Sequence, residues 1–147
     1  MSAGLPPFAV RTIDHVVIRA IDVAAMIDFW GDVLGCPVEL GRPDLGLYHL
    51  RAGATQVDIV DVAGTLGQAG GGPPAPDGRN MDHVCLRIDP FDTDALAAHL
   101  GDHGIALGDV SRRFGAEGEG PSLYVEGPEG LVVEFKGPPD AAVEEAD

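Results

Sequence analysis

Basic residues are scarce. Nine lysines and arginines stand against 24 aspartates and glutamates, a formal net charge of -15 at pH 7. A surface that negative repels phosphate backbones and acidic lipid headgroups, so neither nucleic acid nor a membrane is expected as a partner. Cysteine is nearly absent: Cys36 and Cys85 are too few for a disulfide framework. Met1 to Thr12 has neither the basic start nor the apolar run of a secretory signal. The expectation is a protein of the reducing cytoplasm. No apolar stretch approaches the roughly 20 residues needed to span a bilayer. What is present, 147 residues of which 45% are hydrophobic, suits one domain that buries a core without staples.

Composition divides the chain. Residues 64–80 read GTLGQAGGGPPAPDGRN, dense in glycine and proline with almost nothing to bury, and are expected to act as a linker. The segment from Pro138, PPDAAVEEAD, has four acidic residues and no apolar periodicity, the pattern of a disordered solubilising tail. The expected organisation is a first module over 10–62, a linker over 63–80, a second module over 81–137 and a tail over 138–147.

The flanking modules repeat each other. Ile13 to Arg19 reads IDHVVIR, and Met81 to Arg87 reads MDHVCLR, with Asp, His, Val and Arg at the same spacing. Both runs alternate like strands. Asp22 then caps a helix with apolar Val23, Met26, Ile27, Trp30 and Leu34, ending before Gly35. Asp92, Leu96, Leu100 and Gly104 repeat that pattern. Further on, Leu47, Tyr48 and Asp58 align with Leu123, Tyr124 and Glu134, the extra positions falling in a longer loop at Ser111 to Pro121. Each half reads strand, helix, three strands. The predicted class is α+β: two paired βαβββ modules forming a concave, partly closed sheet with helices outside.

Strand parity sorts the side chains. Val16 and Ile18 oppose His15, Val17 and Arg19, and Val84 and Leu86 oppose His83, Cys85 and Arg87. The apolar sets must meet the helices, so both histidines face the cleft. Asp58 and Glu134 join them from the last strand of each half. Two histidines and two carboxylates from symmetry-related positions form a set suited to one borderline divalent metal: Zn, Ni, Co, Mn or Fe. Paired core histidines and salt-bridge partners are the alternative, and the repetition of both residue types weighs against it.

These segments, with the helix ending FWGDVLG and the closing YVEGPEGLVVEFKG, resemble the vicinal oxygen chelate superfamily over about residues 11 to 137. That superfamily includes glyoxalase I, bleomycin and fosfomycin resistance proteins and extradiol dioxygenases. The resemblance implies metal ligands at His15, Asp58, His83 and Glu134. Asp58 departs from the glyoxalase pattern of a glutamate there, and its shorter side chain allows binding through water or an open metal position. The dioxygenase pattern of two histidines and one glutamate matches His15, His83 and Glu134 without Asp58.

Tyr124 precedes Glu134 at a spacing similar to that of the dioxygenases' active-site tyrosine. Two roles remain open for it, substrate contact and filling of the cleft wall. SRRFGAEGEGP is glycine-rich enough to form a lid, and Arg112 and Arg113 within it are candidate clamps for a substrate carboxylate. Arg19 and Arg87 pair with nearby acids such as Asp14 or Asp82 in the simplest reading. His49, on a strand of opposite parity, and His99 and His103, on the second helix, are given no role. Cys85 reads as a packing residue.

The expected activity is a metal-dependent glyoxalase-like lyase or isomerase of a small carbonyl or hydroxy-carbonyl substrate. It would proceed through a metal-stabilised enediolate, with Glu134 as general base. The alternatives are an extradiol-type ring-cleaving dioxygenase and a metal-free resistance protein that binds a drug or metabolite. The long linker permits an exchange of modules between chains, so a homodimer is expected.

Overall fold

The computed structural model describes residues 6–7 and 9–140. The tail expected over 138–147 therefore lies outside the described residues beyond Asp140. The first half comprises β1 (His15–Ala20), α1 (Val23–Asp28), β2 (Val38–Arg42), β3 (Leu47–Ala52) and β4 (Thr55–Asp61). The second comprises β5 (Val84–Arg87), α2 (Thr93–Asp102), β6 (Ser111–Gly115), β7 (Gly118–Glu126) and β8 (Val132–Lys136). Two four-stranded sheets result, ordered β1-β4-β3-β2 and β5-β8-β7-β6. In each, the first strand runs parallel to the last and the other pairs are antiparallel. The sheets do not close into a barrel, and the class is the expected α+β.

Local chemistry explains the helices. The Asp22 carboxylate accepts from Ala25 N, and the Asp92 carboxylate from the amides of Asp94 and Ala95, satisfying first-turn donors with no helical partner. After Asp28 the first helix widens into a π-turn, Phe29–Val33, closed by Leu34 N donating to Phe29 O at 3.1 Å. The wider turn sends the consecutive Phe29 and Trp30 both inward, at 6% and 0% exposure.

One core joins the halves. Ile18, Met26, Trp30, Leu50 and Ile59 from the first pack in the same cluster as Leu100, Leu123, Val133 and Phe135 from the second. Each such side chain contributes about 1.5–3 kcal/mol of burial. Phe29 lies so close over Gly127 that a Cβ there would come within 2.7 Å of its ring. The Glu129 carboxylate accepts from the amides of Ile21 and Asp22 at 2.8 and 2.9 Å, tying the second half to the mouth of α1.

Two expectations change. The glycine-rich segment 64–80 is packed onto β1: the Arg19 guanidinium donates to the carbonyls of Gly67, Gly71 and Gly72, and Asn80 donates to Arg19 O. Arg19 is thus held by bare glycine carbonyls and not by Asp14 or Asp82. The expected lid at Ser111 to Pro121 is the β6–β7 hairpin, in register from Ser111–Ser122 to Gly115–Gly118. Its glycines serve the turn and the strand pairing.

Candidate functional site

On the face of the second sheet turned away from the helices, β5 presents Cys85 with His83 just before it, β8 presents Glu134 and Lys136, and β7 presents Ser122 and Tyr124. His83 Nδ1 is 2.6 Å from Asp82 Oδ2, and its Nε2 is 3.2 Å from Glu134 Oε1. Asp82 as acceptor holds a proton on Nδ1, and Nε2 faces the Glu134 carboxylate. Glu134 is 6% exposed. Tyr124 is its register partner and meets His83 edge to face at 5.3 Å. Desolvation, then the charge of Glu134, raise the Tyr124 phenol above its ordinary pKa against the opposing effect of Arg113, so it keeps its proton. Desolvation and Glu134 push the Cys85 thiol up to about 11, which makes it no nucleophile at neutral pH.

The first sheet repeats the arrangement. His15 Nδ1 is 2.8 Å from Asp14 Oδ1, and its Nε2 is 3.9 Å from Asp58 Oδ2. Asp58, 3% exposed, also accepts from His49 Nδ1 at 2.9 Å and Gln56 Nε2 at 2.8 Å. His49 corrects the parity expectation. It is the register partner of Asp58, as Tyr124 is of Glu134, and shares its face. Sequence alignment equates Tyr48 with Tyr124. The β3–β4 connection, however, has two residues between Ala52 and Thr55, whereas that between Glu126 and Val132 is longer, which offsets the register by one.

The chain matches the sequence profile of the Glyoxalase/Bleomycin resistance protein/Dioxygenase superfamily over residues 12–135. It belongs to that superfamily. No match was found among curated protein sequences. Among solved structures, a virulence protein from Salmonella typhimurium superposes with a TM-score of 0.69 at 22% identity, covering 88% of this chain and 98% of that one. A lactoylglutathione lyase from Agrobacterium tumefaciens gives 0.61 at 20% identity, over 90% and 96%. A mutant fosfomycin resistance protein from Listeria monocytogenes, complexed with Mn(II) and a dihydroxypropylphosphonic acid, gives 0.63 at 12% identity, over 87% and 90%. These likenesses concern the fold.

Of the ligand set that the superfamily suggests, the structure forms two His–carboxylate pairs. His15 stands with Asp58, and His83 with Glu134; among the described residues no three His, Cys, Asp or Glu side chains in one chain gather closely enough to hold a metal. The two pairs stand on different sheets. The arginines also divide. Arg113 faces the Glu134 side, with its guanidinium carbon 4.6 Å from the Tyr124 ring centroid and Nη1 donating to Ser122 O and Oγ. Arg112, one residue earlier, points to the opposite face and pairs with Asp140 and Glu119, away from the site. Arg87 pairs with Glu117 at 2.7 Å. His99 on α2 and His103 at its C-cap are exposed. Among the described residues no helix is long and apolar enough to cross a membrane.

Proposed function

We propose that this chain is a metal-dependent lyase or isomerase of the glyoxalase type, acting on a small carbonyl or hydroxy-carbonyl substrate. The observation that carries the reading is the twofold pattern of aspartate, histidine and buried carboxylate: Asp82, His83 and Glu134, and Asp14, His15 and Asp58. In each, an aspartate holds Nδ1–H and turns Nε2 toward a carboxylate, as outer partners do for metal-bound imidazoles. With Nε2 unprotonated, an imidazole and a carboxylate donor converge there, an arrangement that suits a bound cation. The donor set thus fits a borderline divalent ion, one of Zn, Ni, Co, Mn or Fe, held by His15, Asp58, His83 and Glu134.

Such an ion, when bound, would supply Lewis-acid polarisation of the substrate carbonyl. Glu134 removes the proton beside the carbonyl; its burial keeps water away from that transfer. The protonated Tyr124, across the ladder from Glu134, donates a hydrogen bond to the substrate oxygen on which charge develops. Because each chain offers two half-sites, a second copy completes the set: the first sheet of one protomer faces the second sheet of its partner in a homodimer.

A second reading has one observation in its favour. His49 and Gln56 already occupy Asp58 Oδ1, which leaves His15, His83 and Glu134 as a two-histidine, one-carboxylate set with open positions, the pattern of oxygen-activating Fe(II) enzymes. Elemental mass spectrometry on untagged, chelator-free protein, beside a His15→Ala, Glu134→Ala double variant, tests both. About one metal per site that the variant loses supports the proposal. Turnover of thiol adducts of methylglyoxal and related carbonyls then favours the lyase or isomerase, and oxygen uptake with catechols the dioxygenase. No metal after reloading overturns both and leaves a metal-free binding protein.

A further inference from the structure

We propose that His99 and His103 chelate one borderline divalent cation, Zn(II), Ni(II) or Cu(II), where α2 meets the π-turn that ends the first helix. This site is separate from the four-residue set above and does not rest on the reaction proposed there. His99 stands in the last turn of α2 and His103 at its C-cap, a spacing of four residues that brings side chains together on one face of a helix. Their ring centres are 5.1 Å apart and the ring planes are inclined at 67°. An ion about 2.0–2.1 Å from each coordinating nitrogen stands about 3.2 Å from each ring centre, so two imidazoles on one ion, at right or tetrahedral angles, have centres roughly 4.5–5.2 Å apart. The observed separation lies within that range.

One of the two rings is already oriented. His99 Nε2 donates to Val33 O at 2.8 Å, a hydrogen bond from the second half to the first. That bond keeps a proton on Nε2, so Nδ1 is the nitrogen free to bind, and it fixes the ring as an outer partner fixes a metal-bound imidazole. His103 lines a cavity of about 300 Å³ with Asp28, Asp32 and Glu126, and among the described residues no lysine or arginine lines it. These carboxylates concentrate cations at the mouth, and the partial negative charge at the C-terminus of α2 acts in the same direction. No third His, Cys, Asp or Glu among the described residues comes close enough to complete a protein ligand set, so the histidines fill two positions and water the others. Imidazole donors favour Zn, Ni and Cu(II) over Mg or Ca. Because His99 stays bonded to Val33 O, a bound ion also holds α2 against the π-turn and stabilises the folded chain.

The test titrates Zn(II) into the untagged His15→Ala, Glu134→Ala variant, which lacks the set proposed for catalysis, and follows the heat of binding and the imidazole resonances. The expected result is one Zn(II) per chain, shifts at His99 and His103, and an unfolding midpoint that rises with the metal. Adding His99→Ala or His103→Ala should weaken uptake at least about tenfold and abolish that rise. Both histidines are exposed, so the substitutions leave the core intact. In the wild-type protein, substoichiometric Cu(II) should broaden the His99 and His103 resonances, which keeps the test open if a variant fails to fold. No broadening at either ring, or Zn(II) uptake that both histidine substitutions leave undiminished, overturns the inference. Metal lost only with His15 and Glu134 would leave the proposed catalytic set standing alone; metal lost only with His99 and His103 would do the reverse.

Discussion

His49 Nδ1 lies 2.9 Å from Asp58 Oδ1, so the carboxylate of the first half-site already accepts a hydrogen bond. If Asp58 is a ligand, His49 is the partner that orients it, and losing such a partner costs about 10–100-fold in metal affinity. His49→Ala should weaken metal binding by that amount in a chelator competition, with the metal-to-site ratio unchanged. Equal affinity in the variant and the wild type would remove Asp58 from the ligand set.

A site shared by two protomers has a distinctive consequence. His15→Ala and His83→Ala homodimers should each be inactive. In a mixed dimer one site then carries both substitutions and the other carries none. Refolding the two variants together should restore about a quarter of wild-type activity, since about half the dimers are mixed and each has one intact site. No recovery in the mixture would place the complete site within one chain.

The hydrogen bond from His15 to Asp14 raises the imidazole above its ordinary 6.5, desolvation opposing and Asp58 reinforcing it. In metal-free protein the ring proton should persist to higher pH than in an unfolded chain. The sign follows: this contribution to stability is complete below about pH 6.5 and disappears as pH rises through the folded value. Metal uptake, which needs a bare Nε2, should fall off on acidification already above pH 6.5. Histidine resonances followed through a pH titration check the direction, and Asp14→Asn should return His15 toward 6.5. An unshifted His15 in the wild type would contradict it.

Glu129 joins the halves while holding a positive φ of 58°, a conformation that costs a non-glycine residue about 1 kcal/mol. Its carboxylate receives two amides of the α1 entry. Glu129→Ala should destabilise by about 1–2 kcal/mol in urea unfolding, since both hydrogen bonds go and the strain stays. Glu129→Gly loses the same bonds and relieves the backbone, so it should recover about 1 kcal/mol of that loss. A glycine variant no more stable than the alanine variant would refute the strain.

Much of the architecture is legible before any coordinates. The Asp22 and Asp92 caps, the glycines after both helices and the repeated DHV strands are local signals, and each element they predict is present. Alternation also placed His15, Asp58, His83 and Glu134 on open faces, because side-chain period is a property of one strand. Alternation within β3 could not place His49, because which residue stands opposite Asp58 depends on the length of the turn between the strands. Arg112 and Arg113 look alike as neighbours in a glycine-rich run. They part only when the run folds as a hairpin and sends adjacent residues to opposite faces.

The amino-acid sequence by itself determined the repeated βαβββ order, the superfamily, and which histidines and carboxylates stand in equivalent places, since caps, periodicity and repeats are written in short range. Only the tertiary structure decided that these groups form two separate His–carboxylate pairs, that His49 backs Asp58, and that Arg113 lies over the Tyr124 ring and donates to Ser122. Those relations join residues far apart in the chain, and they depend on strand register and sheet separation, which no local run of residues specifies.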